Sequence, residues 1–314
     1  MELIRGLQNL KPRHRGCVAT IGNFDGVHLG HQAVIRQLQR QQAVFDMPAT
    51  MIVFEPQPLE YFAVPNLPPR LTTFREKYDL LAGYGIDRIL CVRFGRALAE
   101  MSADEFVRAV LVDGLGVKYL VVGDDFRFGR GRVGDFAALQ AAGDGYGFRV
   151  DRTETLELDG ERVSSTNVRA ALQVGELDAA ARLLGRPYEI IGKVAHGDKR
   201  GRDWGFPTAN IHLNRRKSPL TGVYAVTVRG IDQAALTGVA NLGNRPTVGG
   251  TRTLLEVHLF DFNREIYRHW VAVRFLYKLR DELQFESFDA LKAQIGRDVH
   301  RARGYFRSHM AKCS

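Results

Sequence analysis

Gly22-Asn23-Phe24-Asp25-Gly26-Val27-His28-Leu29-Gly30-His31 follows the apolar run Cys17 to Ile21 and leads into the amphipathic segment Gln32 to Ala43. That order predicts a strand, a glycine turn and a helix, the unit from which a parallel sheet is built. Glycines in such a turn permit φ > 0 and close backbone approach, while the N–H groups and dipole at a helix start favour a phosphate. His28 and His31 are three residues apart, so they share a helical face. Two imidazoles beside an anion site can stabilise charge on a pentacoordinate phosphorus. The chemistry suggested is nucleotidyl transfer, although the same ten residues also fit a capped helix with surface imidazoles.

Outward from this stretch the alternation continues. Thr50 to Phe54, Arg88 to Val92 and Tyr119 to Val122 read as buried strands, and Phe74 to Ala82, Ala103 to Val112 and Phe136 to Ala142 as intervening helices. Strands alternating with helices imply an α/β domain with a Rossmann-like parallel sheet, whose ligands sit at the carboxyl ends of its strands. The loops after Ile21, Phe54 and Val122 all fall at that edge. Asn167 to Leu184 reads as helical, stopped by Gly185 and Pro187, which is ordinary helix-end chemistry. The boundary therefore falls between domains at 1–185 and 186–314. Beyond it, Tyr188 to Val194, Gly222 to Val228, Gly238 to Leu242, Thr253 to Leu259 and Trp270 to Leu279 read as strands with no helices between them. They predict an antiparallel β-barrel, closed by an amphipathic terminal helix from about Ser287 to His309.

A chain of 314 residues exceeds one domain of about 100–150 residues. Hydrophobic residues at 45% and charged residues at 25% exclude wholesale disorder and a disulfide scaffold. There is no apolar run of membrane-spanning length, and Met1 to Gly16 has no apolar signal core, so no membrane and a cytoplasmic location are expected. Cys17, Cys91 and Cys313 are odd in number and form no C-x-x-C pair, so they read as reduced thiols. The net charge of +9 suggests anionic partners. Basic residues are dispersed, apart from Asn214 to Lys217 and Arg297 to Arg307, which read as solvated surface rather than a binding stripe. Small phosphorylated ligands would use such a field, and nucleic acid is not expected.

The histidine stretch resembles the Gly-x-Phe-Asp-Gly-x-His-x-Gly-His motif of class I nucleotidyltransferases, in the form found in bacterial FAD synthetases. By that resemblance Gly22, Asn23, Phe24, Asp25 and Gly30 bind ATP, and His28 and His31 are catalytic. The segment Asp125-Phe126-Arg127-Phe128-Gly129, continuing to Gly134, is similar to the family's loop beside FMN and ATP. Bare, it is equally a polar turn with solvated arginines. Ser164-Ser165-Thr166-Asn167-Val168-Arg169 opens a helix, where hydroxyls act as caps or phosphate contacts. The resemblance makes Ser165, Thr166 and Arg169 ATP ligands. Phe54-Glu55-Pro56-Gln57-Pro58, followed by Tyr61 and Phe62, is an aromatic loop that reads as packing on the core or as stacking surface for a flat ring. The resemblance implies flavin contacts at Phe54, Pro56, Pro58, Phe62, Asp125 and Phe128.

In the C-terminal half, Gly192 to Asn210 is glycine-rich and basic but lacks the Walker spacing. It is either a flexible loop or a wrap for polyphosphate. It resembles the loop of riboflavin kinases, so that Gly192, Gly197, Lys199, Gly201 and Arg202 are expected to bind ATP. The Pro-Thr-Ala-Asn of that family stands here at Pro207 to Asn210, which implies Thr208 and Asn210 as ligands of Mg²⁺ with ATP, a role suited to neutral oxygens. Glu256 lies in an otherwise apolar strand, where a carboxylate is usually solvent-facing; the family's catalytic base occupies this place. Asn241 and Arg245, in Asn241-Leu-Gly-Asn-Arg-Pro-Thr247, are flavin contacts by the same resemblance. Trp204 and Arg268 depart from the family pattern, the latter where a glycine is common.

The resemblance covers about Val18 to Asp298. It implies a bifunctional enzyme that phosphorylates riboflavin to FMN with Mg-ATP in the C-terminal domain. The N-terminal domain would then join FMN to AMP, giving FAD and pyrophosphate, with the flavins as substrate and product rather than redox cofactors. Two other readings are a chain with one active and one flavin-binding domain, and a flavin-sensing or nucleic-acid-binding regulator. Oligomeric state is not legible.

Overall fold

The computed structural model describes residues 1–196, 206–215, 217–247 and 250–310, without the side chains of 244–247, 250–252 and 310. The chain forms two units: Met1–Pro68 with Lys77–Ser164, and Pro69–Glu76 with the chain from Ser165 onward.

The first unit is a six-stranded parallel sheet flanked by helices. Its strands are β1 (Glu2–Arg5), β2 (Cys17–Ile21), β3 (Ala49–Glu55), β4 (Arg88–Arg93), β5 (Val117–Gly123) and β6 (Arg149–Thr153), in the spatial order β1-β4-β3-β2-β5-β6. Between them run α1 (Leu29–Phe45), α2 (Pro58–Tyr61), α3 (Phe74–Gly83), α4 (Arg96–Glu100), α5 (Ala103–Phe106) and α6 (Phe136–Tyr146). The unit boundary crosses α3 at Glu76. Where a single helix over Ala103 to Val112 is expected, α5 passes at Val107–Val112 into a wider π turn. All five residues of β2 are buried, as in a central strand covered on both faces. The thiol of Cys17 lies there, pushed up to about 11 by burial. β1 and β6 carry too few apolar residues to announce themselves: β6 buries only Val150. A two-stranded hairpin, β7 (Glu157–Leu158) and β8 (Glu161–Arg162), completes the unit. Strand order reverses at β2, which has β3 on one side and β5 on the other. The crevice at such a reversal is where sheets of this kind bind ligands.

The second unit begins with α7 (Ser165–Val174) and α8 (Leu177–Leu184). The expected single helix is broken at Gly175, with φ +86. A Cβ there would also fall 2.2 Å from the Lys278 stem, so the break needs glycine. A closed antiparallel barrel follows: β9 (Glu189–Ala195), β10 (Ala209–His212), β11 (Gly222–Arg229), β12 (Leu236–Thr247), β13 (Gly250–Leu259) and β14 (Trp270–Arg280). Its order is β10-β13-β12-β11-β14-β9. Among the barrel strands, the one not foreseen from the sequence is β10, only four residues long. Arg268, where the family favours glycine, has φ +68, and its N–H donates to the Val194 carbonyl at 2.9 Å. One barrel face packs on α9 (Phe288–Met310), where Val223, Ala225, Val239 and Leu279 meet Ala302 and Phe306. Arg215, read as solvated from its basic run, is the reverse: its side chain is 1% exposed and ion-paired with Glu76. Long-range pairing hid the charge that a local reading left at the surface.

Candidate functional site

At the carboxyl end of β2 the chain enters a turn of unusual backbone. Phe24, Gly26 and Val27 have φ of +47, +83 and +44. For a β-branched residue such a conformation costs on the order of 1–3 kcal/mol and persists only where surroundings enforce it. Here Val27 is fully buried, and Gln32 Nε2 donates to its carbonyl at 3.0 Å. Gln32 is a supporting residue that sequence reasoning passed over as part of an amphipathic helix. The turn delivers His28 to the N-cap of α1, where Nδ1 accepts the His31 N–H at 3.3 Å. An imidazole that accepts at Nδ1 and is neutral carries its proton on Nε2. His31 stacks on His28 with centroids 3.7 Å apart, and the Phe24 ring lies tilted against His31 at 5.0 Å. Gly30 has a steric role, because a Cβ there would stand 3.1 Å from the His28 ring. Gly22 likewise sits under the Phe24 ring. Asp25 is buried at 3% exposure, and Asn23 is half-buried in the same turn.

The ends of β3 and β4 contribute aromatic surface. Phe94 meets Phe54, Tyr61 and Phe62 at centroid distances of 5.9, 5.4 and 5.8 Å, edge to face. Phe62 remains 58% exposed. Pro56 lies in the loop and Pro58 opens α2, whose Glu60 carboxylate accepts the Gln57 N–H at 2.9 Å. Phe94 was missed by sequence reasoning; its signal was position, directly after the strand at Arg88–Arg93. After β5, Arg162 of the β7–β8 hairpin bridges Asp124 and Asp125 at 3.3 and 3.2 Å. Phe128 faces the core, 7% exposed, against Phe106 and Phe126. What Phe128 can give a flavin is the shape of the loop, not an open ring face.

Ser165, Thr166 and Arg169 lie on α7 in the second unit, whereas His28 and His31 lie in the first. Ser165 and Arg169 are one turn apart on one helix face. Arg169 Nε donates to the Pro69 carbonyl at 2.8 Å.

In the barrel, strand register gathers the expected residues. Glu256 of β13 stands directly opposite Asn210 of β10 on one side and Asn241 of β12 on the other. Directly paired residues project on the same face of a sheet, so two amides flank the carboxylate. Two positions along β13, the His258 ring faces Phe206, and its Nδ1 lies 2.9 Å from the Pro207 carbonyl. A carbonyl accepts, so Nδ1 carries the proton. Burial pulls the His258 pKa below its ordinary value. Thr208, between this contact and β10, is exposed. Thr208 hydroxyl and Asn210 amide oxygens beside a carboxylate are a donor set that fits a hard divalent cation with phosphate oxygens. Gly192 on β9 is required by packing, since a Cβ there would be 2.4 Å from Ile211 and 2.7 Å from the His212 carbonyl. Gly197, Lys199, Gly201 and Arg202 lie outside the described residues, as does the side chain of Arg245.

The chain matches two family models in succession: FAD synthetase over residues 10–167 and riboflavin kinase over residues 184–306. It is 53% identical to the bifunctional riboflavin kinase/FMN adenylyltransferase of Pseudomonas fluorescens, over 96% of this chain and 97% of that one. Identity to the protein of that name from Escherichia coli K12 is 52%, over 98% of both chains. For the Haemophilus influenzae protein it is 49%, over 98% of this chain and 100% of that one. A crystal structure described as a macrolide-efflux protein from Streptococcus pneumoniae superposes with a TM-score of 0.81 at 30% identity, covering 96% of this chain and 99% of that one. Among the described residues no helix is long and apolar enough to cross a membrane.

Proposed function

The chain belongs to the bifunctional riboflavin kinase/FMN adenylyltransferase family, and from that membership we propose which of its residues carry each reaction. It phosphorylates riboflavin to FMN and adenylylates FMN to FAD, using ATP in both steps. The kinase match lies in the C-terminal half and the adenylyltransferase match in the N-terminal half. Taken as modules of the sequence, these are 1–185 and 186–314.

In the adenylyltransferase, an FMN phosphate oxygen attacks the α-phosphorus of ATP. The bond from that phosphorus to the β-bridging oxygen breaks, and pyrophosphate leaves. Charge grows on the equatorial oxygens of the α-phosphorus, and the Nε2–H of His28 with the His31 ring is the group that meets it. Backbone N–H groups of Gly22 to Gly30 at the start of α1 hold the triphosphate, with Asn23, Phe24 and Asp25 shaping the turn. Ser165, Thr166 and Arg169 add phosphate contacts. The isoalloxazine lies against Phe54, Pro56, Pro58 and Phe62, joined by Phe94, with Asp125 and Phe128 in the facing loop.

In the kinase, Glu256 accepts the proton of the ribityl 5′-hydroxyl as its oxygen bonds to the γ-phosphorus; the bond to the β–γ bridging oxygen breaks and ADP leaves. Thr208 and Asn210 hold Mg²⁺, which when bound neutralises phosphate charge. Asn241 and Arg245 orient the flavin, and Gly192, Gly197, Lys199, Gly201 and Arg202 form the ATP loop. We assign the protein to the cytoplasm, where buried thiols such as Cys17 stay reduced.

The observation that carries this assignment is the row Asn210–Glu256–Asn241, which sets the expected base between the expected metal ligand and the expected flavin contact. The experiment is incubation of the protein with riboflavin, ATP and Mg²⁺, and separation of the flavins by chromatography. FMN appears first and FAD after it. With Glu256→Gln, supplied FMN still becomes FAD while riboflavin persists; undiminished FMN formation would remove Glu256 as the base.

A further inference from the structure

Glu76 ends the segment Pro69–Glu76, which packs as part of the barrel unit. Arg215 Nη2 donates to both of its carboxylate oxygens at 2.6 Å, across 139 residues of sequence. The Ile191 N–H of β9 donates to Oε1 at 2.7 Å, and the Thr73 N–H to Oε2 at 2.6 Å. Arg215 Nη1 donates to the Tyr188 hydroxyl at 2.9 Å, which donates in turn to the Leu71 carbonyl at 2.9 Å. The side chains of Arg215 and Glu76 are 1% and 4% exposed. At the neighbouring position the Arg75 guanidinium lies 4.4 Å from the Trp270 ring.

Both ends of this clamp lead into the kinase residues. Ile191 adjoins Gly192, and the last register pair of β9 with β10 is Lys193 with His212. Past that pair the chain turns away through Asn214, at φ +48, and reaches Arg215. The Glu76 carboxylate therefore serves the Ile191 N–H beyond the end of β10. At the same time it fixes Arg215, three residues past the end of β10 and five past Asn210. A buried, charge-assisted pair whose carboxylate is also held by two backbone N–H groups and whose guanidinium is also held by Tyr188 has little rotational freedom, so it transmits position rather than merely adding attraction.

We propose that Glu76 is a positioning residue of the riboflavin kinase reaction, although it precedes the kinase-family match at 184–306 by more than a hundred residues. Through Arg215 and Ile191 it holds β10 against β9, so that Asn210 stays opposite Glu256 and Thr208 stays in reach of the phosphates. The inference rests on the assignment of Thr208, Asn210 and Glu256 to the kinase site.

The test uses the full-length chain. Glu76→Gln leaves the buried Arg215 charge without its carboxylate, so it is compared with Glu76→Gln/Arg215→Met, which removes both charges. Kinase kcat and KM for Mg-ATP, conversion of supplied FMN to FAD, and melting temperature are measured for each. The expected result is a rise in the ATP KM of about tenfold, the scale of a small misplacement of reacting groups, in the double variant as well as the single. FAD formation from FMN stays within about twofold, and the double variant recovers melting temperature relative to the single without recovering KM. A double variant with wild-type KM, or equal loss of both activities, overturns the proposal. Asn210→Ala separates the two levels. If it cripples the kinase while the Glu76 variants do not, only Glu76 is dismissed; if it has no effect, the site assignment falls, and this inference with it.

Discussion

The imidazole of His28 lies on that of His31, centroids 3.7 Å apart and planes 21° from parallel, while its Nδ1 caps the helix that carries its neighbour. One ring thus has two roles, and two substitutions separate them. His28→Ala removes both the cap, worth about 1 kcal/mol, and the Nε2–H. His28→Asn keeps a capping oxygen but not the ring. Both variants are expected to cut FAD formation from FMN by about 10²–10³-fold, with only His28→Ala losing melting temperature. FMN formation from riboflavin is retained in both. An Asn variant at wild-type rate would reduce the ring to a cap.

Gly30 offers an independent test of the same geometry. Alanine is favoured over glycine in a helix by about 0.5–1 kcal/mol, which offsets the cap of about 1 kcal/mol that a displaced His28 ring would lose, so Gly30→Ala should change the melting temperature little. Its Cβ, however, would stand 3.1 Å from the His28 ring and 3.3 Å from the Val163 carbonyl. The ring must shift, and adenylyl transfer should fall about tenfold or more. Steady-state rates of FAD formation decide it, and an unchanged rate would show that the placement of the ring is not critical.

How far the sequence disclosed this follows from the range of each interaction. Cys17 to Ile21 is a buried central strand whose apolar run states its role locally, and the turn after it carries its own glycines. Ala209–His212 is a strand only because β9 and β13 pair with it on either side, which no four-residue window reveals. The row Asn210–Glu256–Asn241 depends on register, so family resemblance could name its members but spacing could not set them side by side. Phe94 and Glu76 act at a distance: one closes an aromatic cluster from the next strand, and the other pairs with Arg215 across 139 residues. Arg215 shows the cost of reading charge locally, since a basic run looks solvated until its partner is known.

Glu256 should tolerate only loss of function. Glu256→Gln preserves size between its two amide neighbours on the paired strands but cannot accept a proton. Riboflavin phosphorylation is expected to fall by about 10²–10⁴-fold, with little change in the KM for riboflavin. Initial rates of FMN formation check this. A large rise in KM with unchanged kcat would assign Glu256 to binding instead.

Beside its apolar packing, the terminal helix is held by a buried ion pair. Arg280 Nε and Nη2 donate to the Asp298 carboxylate at 2.7–3.1 Å, and Gln294 adds a bond at 2.8 Å. Asp298→Ala leaves the Arg280 charge, whose side chain is 16% exposed, without its counter-ion, at a cost of about 3 kcal/mol. Urea unfolding should show a lowered midpoint of that size, whereas a change below about 1 kcal/mol would place the pair with ordinary surface bridges.

His258 should give the barrel a pH-sensitive margin. Burial lowers its folded pKa, with Arg303 lowering it further and the Pro207 carbonyl and Asp261 opposing. The unfolded chain, near the ordinary value of about 6.5, therefore binds a proton more readily than the folded one. Stability from this group is complete above about pH 6.5 and is lost as pH falls from there through the folded value. His258→Gln keeps a donor for Pro207 and removes the titration. Between about pH 7.5 and 5 the melting temperature of the wild-type chain should therefore drop more steeply than that of the variant. Parallel curves would mean that His258 takes up its proton at no cost to the fold, and that the contact with Pro207 is indifferent to its charge.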